Sequence, residues 1–326
     1  MKKMQIYILC RDRRDFAKEA ISSVLVSAKK CIDQVEVIIS DNSVGNAIEQ
    51  LRLEHFADVA YIRRKPPLPV EQHFKVIINE AQAEYLVLFH DDDRMGPDYI
   101  STMLLLMEQY PRASAIGCNG EIIDAKGQPT GRYFIKPSGA IRLLKKSEEL
   151  VLPYLQTMHS PEIAPFPGYC YRKQYLCENM IDIRHGGKHS DVTLLIKLLH
   201  KSNMIWTSHS LMEYRLHGAN DSAKESIPDR SSLLRYLCKY EGISRHSPEV
   251  REFRFSYWLA WWKQHGCLLH WPKNHRERVV FNFLLRTILR WSISEPFIWR
   301  ILWRKLNKGL KGMIKRANGC SAVSCC

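Results

Sequence analysis

No two of the ten cysteines stand in a C-x-x-C spacing, which removes the usual signatures of a zinc ribbon or a thioredoxin-like dithiol. No run of about 18 uncharged apolar residues occurs, so no transmembrane helix is expected. The opening Met1-Lys2-Lys3 leads into only a short apolar stretch before Arg11. That is too little for a secretory leader, and reduced thiols in a cytoplasmic protein are the expectation. Cys320, Cys325 and Cys326 do not form a C-a-a-X pattern, so C-terminal lipidation is not expected. Internal repeats and low-complexity tracts are absent. Cys10-Arg11-Asp12-Arg13-Arg14, after the first β-prone run, holds no glycine and therefore no glycine-rich phosphate loop.

Acidic residues are scarce in one part of the chain. Of the 326 residues, those from Arg251 onward carry 15 Lys or Arg and 3 acids, a balance of +12 against +14 for the whole. The same stretch holds seven of the eight tryptophans. Residues 1–225 thus read as a nearly neutral domain with an ordinary hydrophobic content. Residues 226–326 read as a basic, Trp-rich helical region suited to an anionic surface. Its clearest element is Phe297–Arg316. There Trp299, Leu302, Trp303, Leu306, Leu310 and Met313 recur at helical steps, with Lys and Arg mainly on the other side.

The first half alternates between two periodicities. Met4–Cys10, Val35–Ser40, Val59–Ile62 and Tyr85–Phe89 are short apolar runs that stop at polar turns, as buried parallel strands do. Between them Asp15–Lys30, Ala47–Phe56 and Val70–Ala83 space their apolar residues as helices, and Pro97–Tyr110 follows as a helix opened by proline. This order predicts a doubly wound, mostly parallel α/β sheet. Further on, Ala113–Asn119, Glu121–Asp124 and Tyr169–Tyr171 read as strands. Met204–Ser208 and Leu211–Leu216 read as edge strands, Ser147–His159 as a helix, and Ser190–Ser202 as a helix with Ser190 as its N-cap.

Asp91-Asp92-Asp93 stands at the tip of the fourth strand. Three adjacent carboxylates repel one another unless a cation joins them. Hard divalent ions such as Mn²⁺ or Mg²⁺ suit oxygen ligands and bridge protein carboxylates to phosphates. In open α/β sheets the crevice at the strand C-termini is where ligands bind. A solvated acidic turn is the plain alternative.

Several motifs in order resemble family 2 glycosyltransferases of the GT-A fold. They are Asp12-Arg13-Arg14-Asp15-Phe16 with Ala20-Ile21 and Ser23-Val24-Leu25; Ser40-Asp41-Asn42-Ser43; Glu71-Gln72-His73-Phe74; Ala81 through Tyr85 with His90-Asp91-Asp92-Asp93 and Pro97; and Tyr214-Arg215-Leu216-His217. The likeness covers roughly residues 4–221, of the type that builds bacterial surface polysaccharides. It implies a GT-A catalytic domain with a mixed sheet and a C-terminal helical extension.

It also implies roles. Cys10, Asp12 and Arg13 would line the nucleotide site, and Asp41 would contact base or ribose, which suits a uracil or thymine nucleotide and makes a UDP-sugar the expected donor. Asp93 would ligate the metal, with Asp91 or Asp92 binding ribose or donor sugar and Asp91 also a candidate ligand; two overlapping registers leave that split open. His217 would complete the metal shell or touch a phosphate. Asp191 would be the general base of an inverting transfer, although Ser190 stands where the family usually has Glu. A basic, tryptophan-rich tail then implies a lipid-linked glycan acceptor and a peripheral place on the inner face of the cell membrane. Two other readings remain beside it. A sugar-phosphate nucleotidyltransferase would need the missing glycine-rich loop, and a non-enzymatic nucleic-acid binder would show a recognisable motif, which is absent.

Overall fold

The computed structural model describes residues 2–156, 166–218 and 226–264. The expected helix Phe297–Arg316 lies outside the described residues, as do residues 157–159 of the expected Ser147–His159 helix. The chain divides into two compact units, one ending at Arg245 and the second beginning at His246.

The first unit opens with β1 (Met4–Cys10), α1 (Arg14–Ala28), β2 (Val35–Asp41), α2 (Ala47–His55), β3 (Ala60–Arg63), α3 (Val70–Glu80) and β4 (Tyr85–His90). It continues with β5 (Arg94–Met95), α4 (Tyr99–Gln109), β6 (Ala115–Ile123), β7 (Pro129–Tyr133), β8 (Ile141–Leu144) and α5 (Ser147–Leu155). Then come β9 (Tyr169–Arg172), α6 (Ile183–Gly186), α7 (Ser190–Lys201), β10 (Met204–Arg215) and α8 (Ile227–Tyr240). The second unit contributes α9 (Pro248–Gln264) among the described residues, started by Ser247, whose Oγ accepts from the Val250 N–H at 3.3 Å.

The strands form one sheet in the order β3-β2-β1-β4-β9-β6-β10-β5, with β7 added on β6 and β8 on β10. β3, β2, β1 and β4 run parallel; β9 enters antiparallel between β4 and β6, and β10 pairs parallel with β6. The parallel half is a doubly wound α/β sheet, as its sequence order predicts. Its strands read as unbroken apolar runs because both faces are covered: Ile6, Ile8, Val87 and Phe89 are fully buried, and α1 seals one face with Ala17, Ala20, Ile21 and Val24. Each of the buried Ile, Val and Phe side chains contributes about 1.5–3 kcal/mol by leaving water.

Four expectations need correction. The two strands expected at Ala113–Asn119 and Glu121–Asp124 are one strand, β6. Gly120 makes no turn there; a Cβ at this position would lie 2.6 Å from the Phe134 ring, so glycine lets an aromatic side chain approach the strand. The two edge strands expected at Met204–Ser208 and Leu211–Leu216 are also one, β10, flanked on both sides and carrying register shifts between Thr207 and Met212. Pro97 precedes α4 rather than opening it, since Tyr99 is the first helical residue. Ser190 is the first residue of α7 and His189 holds the cap position.

Candidate active site

The C-terminal ends of β1, β2 and β4 converge because these strands are neighbours in register, Cys10 beside Asp41 and Leu9 beside His90. The loop after β1 turns sharply at Asp12, whose φ of 55° is a left-handed conformation that Asp tolerates better than most residues. That turn lets the Asp12 N–H donate to Ser43 Oγ at 2.8 Å. Its carboxylate accepts from the backbone N–H groups of Val44 at 3.1 Å and Gly45 at 3.2 Å. Asp12 therefore fastens the loop after β2 to the loop after β1. The Cys10 thiol lies in the hydrophobic core, where burial raises its pKa well above the ordinary thiol range. Its carbonyl accepts from the Asn42 N–H at 2.9 Å, so Cys10 serves the site through its main chain.

Asp41, at the tip of β2, is fully buried. One carboxylate oxygen accepts from the Ser43 N–H at 2.9 Å. The other accepts from the Tyr61 hydroxyl at 2.7 Å and from the Arg63 guanidinium. Arg63 stands beside Asp41 in the β2–β3 register and also donates to the carbonyls of Ser43 and Gly45. Burial, followed by the carboxylate beside it, pushes the Tyr61 phenol up to about 12.

The acid triplet is nearly dry, with Asp91, Asp92 and Asp93 respectively 0, 7 and 1 % exposed. Asp91 turns toward the loop after β1. It accepts from the Arg11 N–H at 2.8 Å and pairs with Arg13, yet burial still lifts its pKa to about 7. Arg13 also donates to Asp92 at 2.6 Å, so one guanidinium spans two of the acids. Burial works against the Asp92 charge, but His90, Arg13 and His217 together hold its pKa below the ordinary value. His217 lies 3.0 Å from the same Asp92 oxygen and stacks obliquely on Phe16.

Asp93 accepts from the Arg215 N–H at 2.9 Å through Oδ1, while its Oδ2 is buried with no hydrogen-bond partner. Burial, and then the neighbouring Asp92, raise its pKa well above the carboxylate range. An isolated carboxylate in such a place is costly as an anion, and a cation would remove that cost. His90, Asp92 and Asp93 offer donor atoms that all lie within 4.8 Å of one another. The residues fit a divalent metal. This grouping contains Asp93 of the expected Asp93, Asp91 and His217; Asp91 pairs with Arg13 and accepts from the Arg11 N–H, and His217 lies against Asp92.

Behind the triplet, the Arg215 side chain is buried. It donates to the Asp92 carbonyl at 2.8 Å and to Glu19 at 2.5 Å, and lies over the Phe16 ring at 4.8 Å. Gly96 permits the turn that follows, because a Cβ there would sit 2.6 Å from the Leu211 carbonyl oxygen of β10. Thus α1, β4 and β10 jointly fix the acids. Sequence reasoning missed His90, Tyr61, Arg63 and Arg215 as parts of this site. His90 and Arg215 both stood inside the motifs that carry the resemblance, without a role of their own; Tyr61 and Arg63 carried no signal.

Asp191 occupies the first turn of α7, where its carboxylate accepts from the Val192 N–H at 2.8 Å. Burial raises its pKa above the ordinary value, opposed by His189. His189 is hydrogen-bonded through Nδ1 to the Tyr154 hydroxyl at 2.6 Å. Tyr169 and Tyr171 of β9, stacked at 6.1 Å, lie within electrostatic reach of Asp191.

Residues 5–165 match the model of the family described as Glycosyl transferase family 2. Among solved structures, residues 1–349 of S. aureus TarS in complex with UDP-GlcNAc align with a TM-score of 0.53 at 10% identity, covering 80% of this chain and 81% of that one. The same fragment in complex with UDP gives 0.50 at 10% identity, over 78% and 81%. A longer S. aureus TarS chain gives 0.50 at 10% identity, over 91% of this chain and 53% of its own. At this identity the likeness is one of fold, the GT-A arrangement. No curated protein matches the chain.

Proposed function

Since the chain belongs to glycosyl transferase family 2, we propose that it transfers a sugar from UDP to a glycan hydroxyl with inversion, assisted by a divalent metal. The observation that carries this reading is the buried, unpartnered Oδ2 of Asp93 at the tip of β4, among carboxylates that share a crevice with the loops after β1 and β2. TarS, which has this fold, is seen with UDP and with UDP-GlcNAc, and that supports a uridine nucleotide in the corresponding crevice.

Each residue then has a task. Asp41, flanked by Tyr61 and Arg63, receives base or ribose; Asp12 holds the wall of that subsite in place. Arg13 is positioned to move between its carboxylate partners and a diphosphate. Asp92 and Asp93 would hold the metal, with His217 orienting Asp92. When bound, a divalent cation supplies positive charge for the diphosphate leaving group. Asp191 acts as general base, and its raised pKa suits proton acceptance near neutrality. It takes the proton from the acceptor hydroxyl as that oxygen bonds to the anomeric carbon. The anomeric C–O bond to the diphosphate breaks on the opposite side, and UDP leaves.

Among the described residues no helix is long and apolar enough to cross a membrane. The basic, Trp-rich composition beyond residue 250 supports peripheral attachment at an anionic bilayer and an acceptor carried on lipid. A panel of UDP-sugars, assayed for UDP release with Mn²⁺, Mg²⁺ or EDTA, tests the reading. Release from at least one donor, abolished by chelation, is expected; no release from any UDP-sugar under any condition would refute it.

A further inference from the structure

Resting on the reading of this crevice as a nucleotide-sugar site, the geometry also bears on which ion it takes. Where the chain leaves β4, His90, Asp92 and Asp93 bring donor atoms together, while Asp91 accepts from the Arg11 N–H and shares Arg13 with Asp92. The donor atoms that meet within 4.8 Å are one imidazole nitrogen and two carboxylate oxygens, from His90, Asp92 and Asp93. The second, independent observation is that Asp93, a member of that group, keeps its Oδ2 buried and without a hydrogen-bond partner.

His217 is the other imidazole nearby. Its Nε2 lies 3.0 Å from Asp92 Oδ2, a hydrogen-bond separation, and its ring is held against Phe16. That placement suits orientation of a ligand rather than ligation.

Ligand type decides between ions. Mg²⁺ takes oxygen ligands in near-ideal octahedral geometry and keeps several waters. An imidazole nitrogen is a softer donor, and affinity for nitrogen-containing sites rises along the first transition row from Mn²⁺. We propose that His90 is a metal ligand and that its nitrogen makes the site select a first-row transition ion, with Mn²⁺ the working example, over Mg²⁺.

Electron spin resonance of Mn²⁺ with the full chain and UDP tests this. Spin-echo modulation from a directly bonded ¹⁴N is expected in the wild type, replaced by the ¹⁵N pattern when the protein carries ¹⁵N-histidine. That comparison needs no variant and so does not depend on a mutant folding. The modulation should vanish in His90→Gln and persist in His217→Gln. His90→Gln should weaken Mn²⁺ binding by at least the roughly 10- to 100-fold that loss of an outer-shell partner alone costs. His90→Asp should bring Mg²⁺ within about tenfold of Mn²⁺ by making the set all oxygen. Bound Mn²⁺ with no bonded nitrogen, modulation that survives His90→Gln, or failure of the wild type to bind Mn²⁺ would each overturn the assignment. The two readings fail separately. UDP release that persists in EDTA removes the metal and leaves the glycosyltransferase. Nitrogen-ligated Mn²⁺ with no turnover of any UDP-sugar confirms His90 and removes the donor assignment.

Discussion

The backbone N–H of Arg215 donates to Asp93 Oδ1 at 2.9 Å, tying the end of β10 to the acid triplet at the tip of β4 across 122 residues of sequence. This bond consumes one carboxylate oxygen and leaves Oδ2 as the buried, unpartnered atom. The Arg215 side chain completes the tie through the Asp92 carbonyl and Glu19. Replacing it with methionine keeps the volume but leaves the buried Asp92 carbonyl without this donor, while Glu19 keeps Arg94. Arg215→Met should lower folding stability by about 1–3 kcal/mol, the usual cost of leaving a buried hydrogen-bonding group unsatisfied. Urea denaturation at neutral pH measures it, and a loss below 1 kcal/mol would contradict the role given to this residue.

Asp93→Asn should behave in the opposite way. Without metal, burial and the neighbouring Asp92 favour the neutral form of the wild-type carboxyl, with which the amide is nearly isosteric. The variant should fold with a midpoint close to that of the wild type and lose metal-dependent turnover by 100-fold or more. Thermal melts beside an activity assay separate the two effects.

Asp191→Asn should retain UDP binding and lose transfer on the order of 10²–10⁴-fold, the range that general bases contribute. The raised pKa of Asp191 also sets a pH dependence. The base works deprotonated, so kcat/KM should fall as pH drops through a value above the ordinary carboxylate range. That acid limb should disappear from the residual rate of the variant. A wild-type profile flat down to pH 4 would contradict the assignment.

His73 supplies a test of the fold itself. It is buried on α3 with Nε2 at 2.8 Å from Ser40 Oγ, and Ser40 Oγ accepts from Arg64 Nε at 3.1 Å. The Ser40 proton is thereby directed at the ring, which must be neutral to accept it. Burial, reinforced by Arg64, lowers the pKa to about 4. The unfolded chain binds this proton near pH 6.5, so between about 6.5 and 4 the unfolded state holds more protons and stability falls as pH falls. The full swing is about 2–4 kcal/mol, present above the unfolded value and lost on approaching pH 4. Denaturant titrations of wild type and His73→Gln at pH 7.5 and 4.5 should show a smaller pH effect in the variant.

The parallel half of the sheet was legible because its strands are apolar on both faces and stop at polar turns. The antiparallel additions were not. β7 is exposed along its whole length as Pro129-Thr130-Gly131-Arg132-Tyr133, and β5 is two residues long, so neither carries a periodic signal. Gly120 and the Ser208-His209-Ser210 segment imitate strand ends, when one accommodates Phe134 and the other a register shift. At the site the three acids were plain, but which way each one faces is decided by partners far away in sequence. Asp91 follows Arg11 and Arg13, and Asp93 follows Arg215. The pairing of Asp41 with Arg63 likewise exists only once β2 and β3 lie in register.

The most direct test of the central claim is calorimetric titration of UDP into the metal-free full chain, with and without Mn²⁺, for wild type and Asp93→Asn. The account predicts that Mn²⁺ strengthens UDP binding at least tenfold in the wild type and has no effect in the variant. Equal UDP affinity in all four titrations would contradict it.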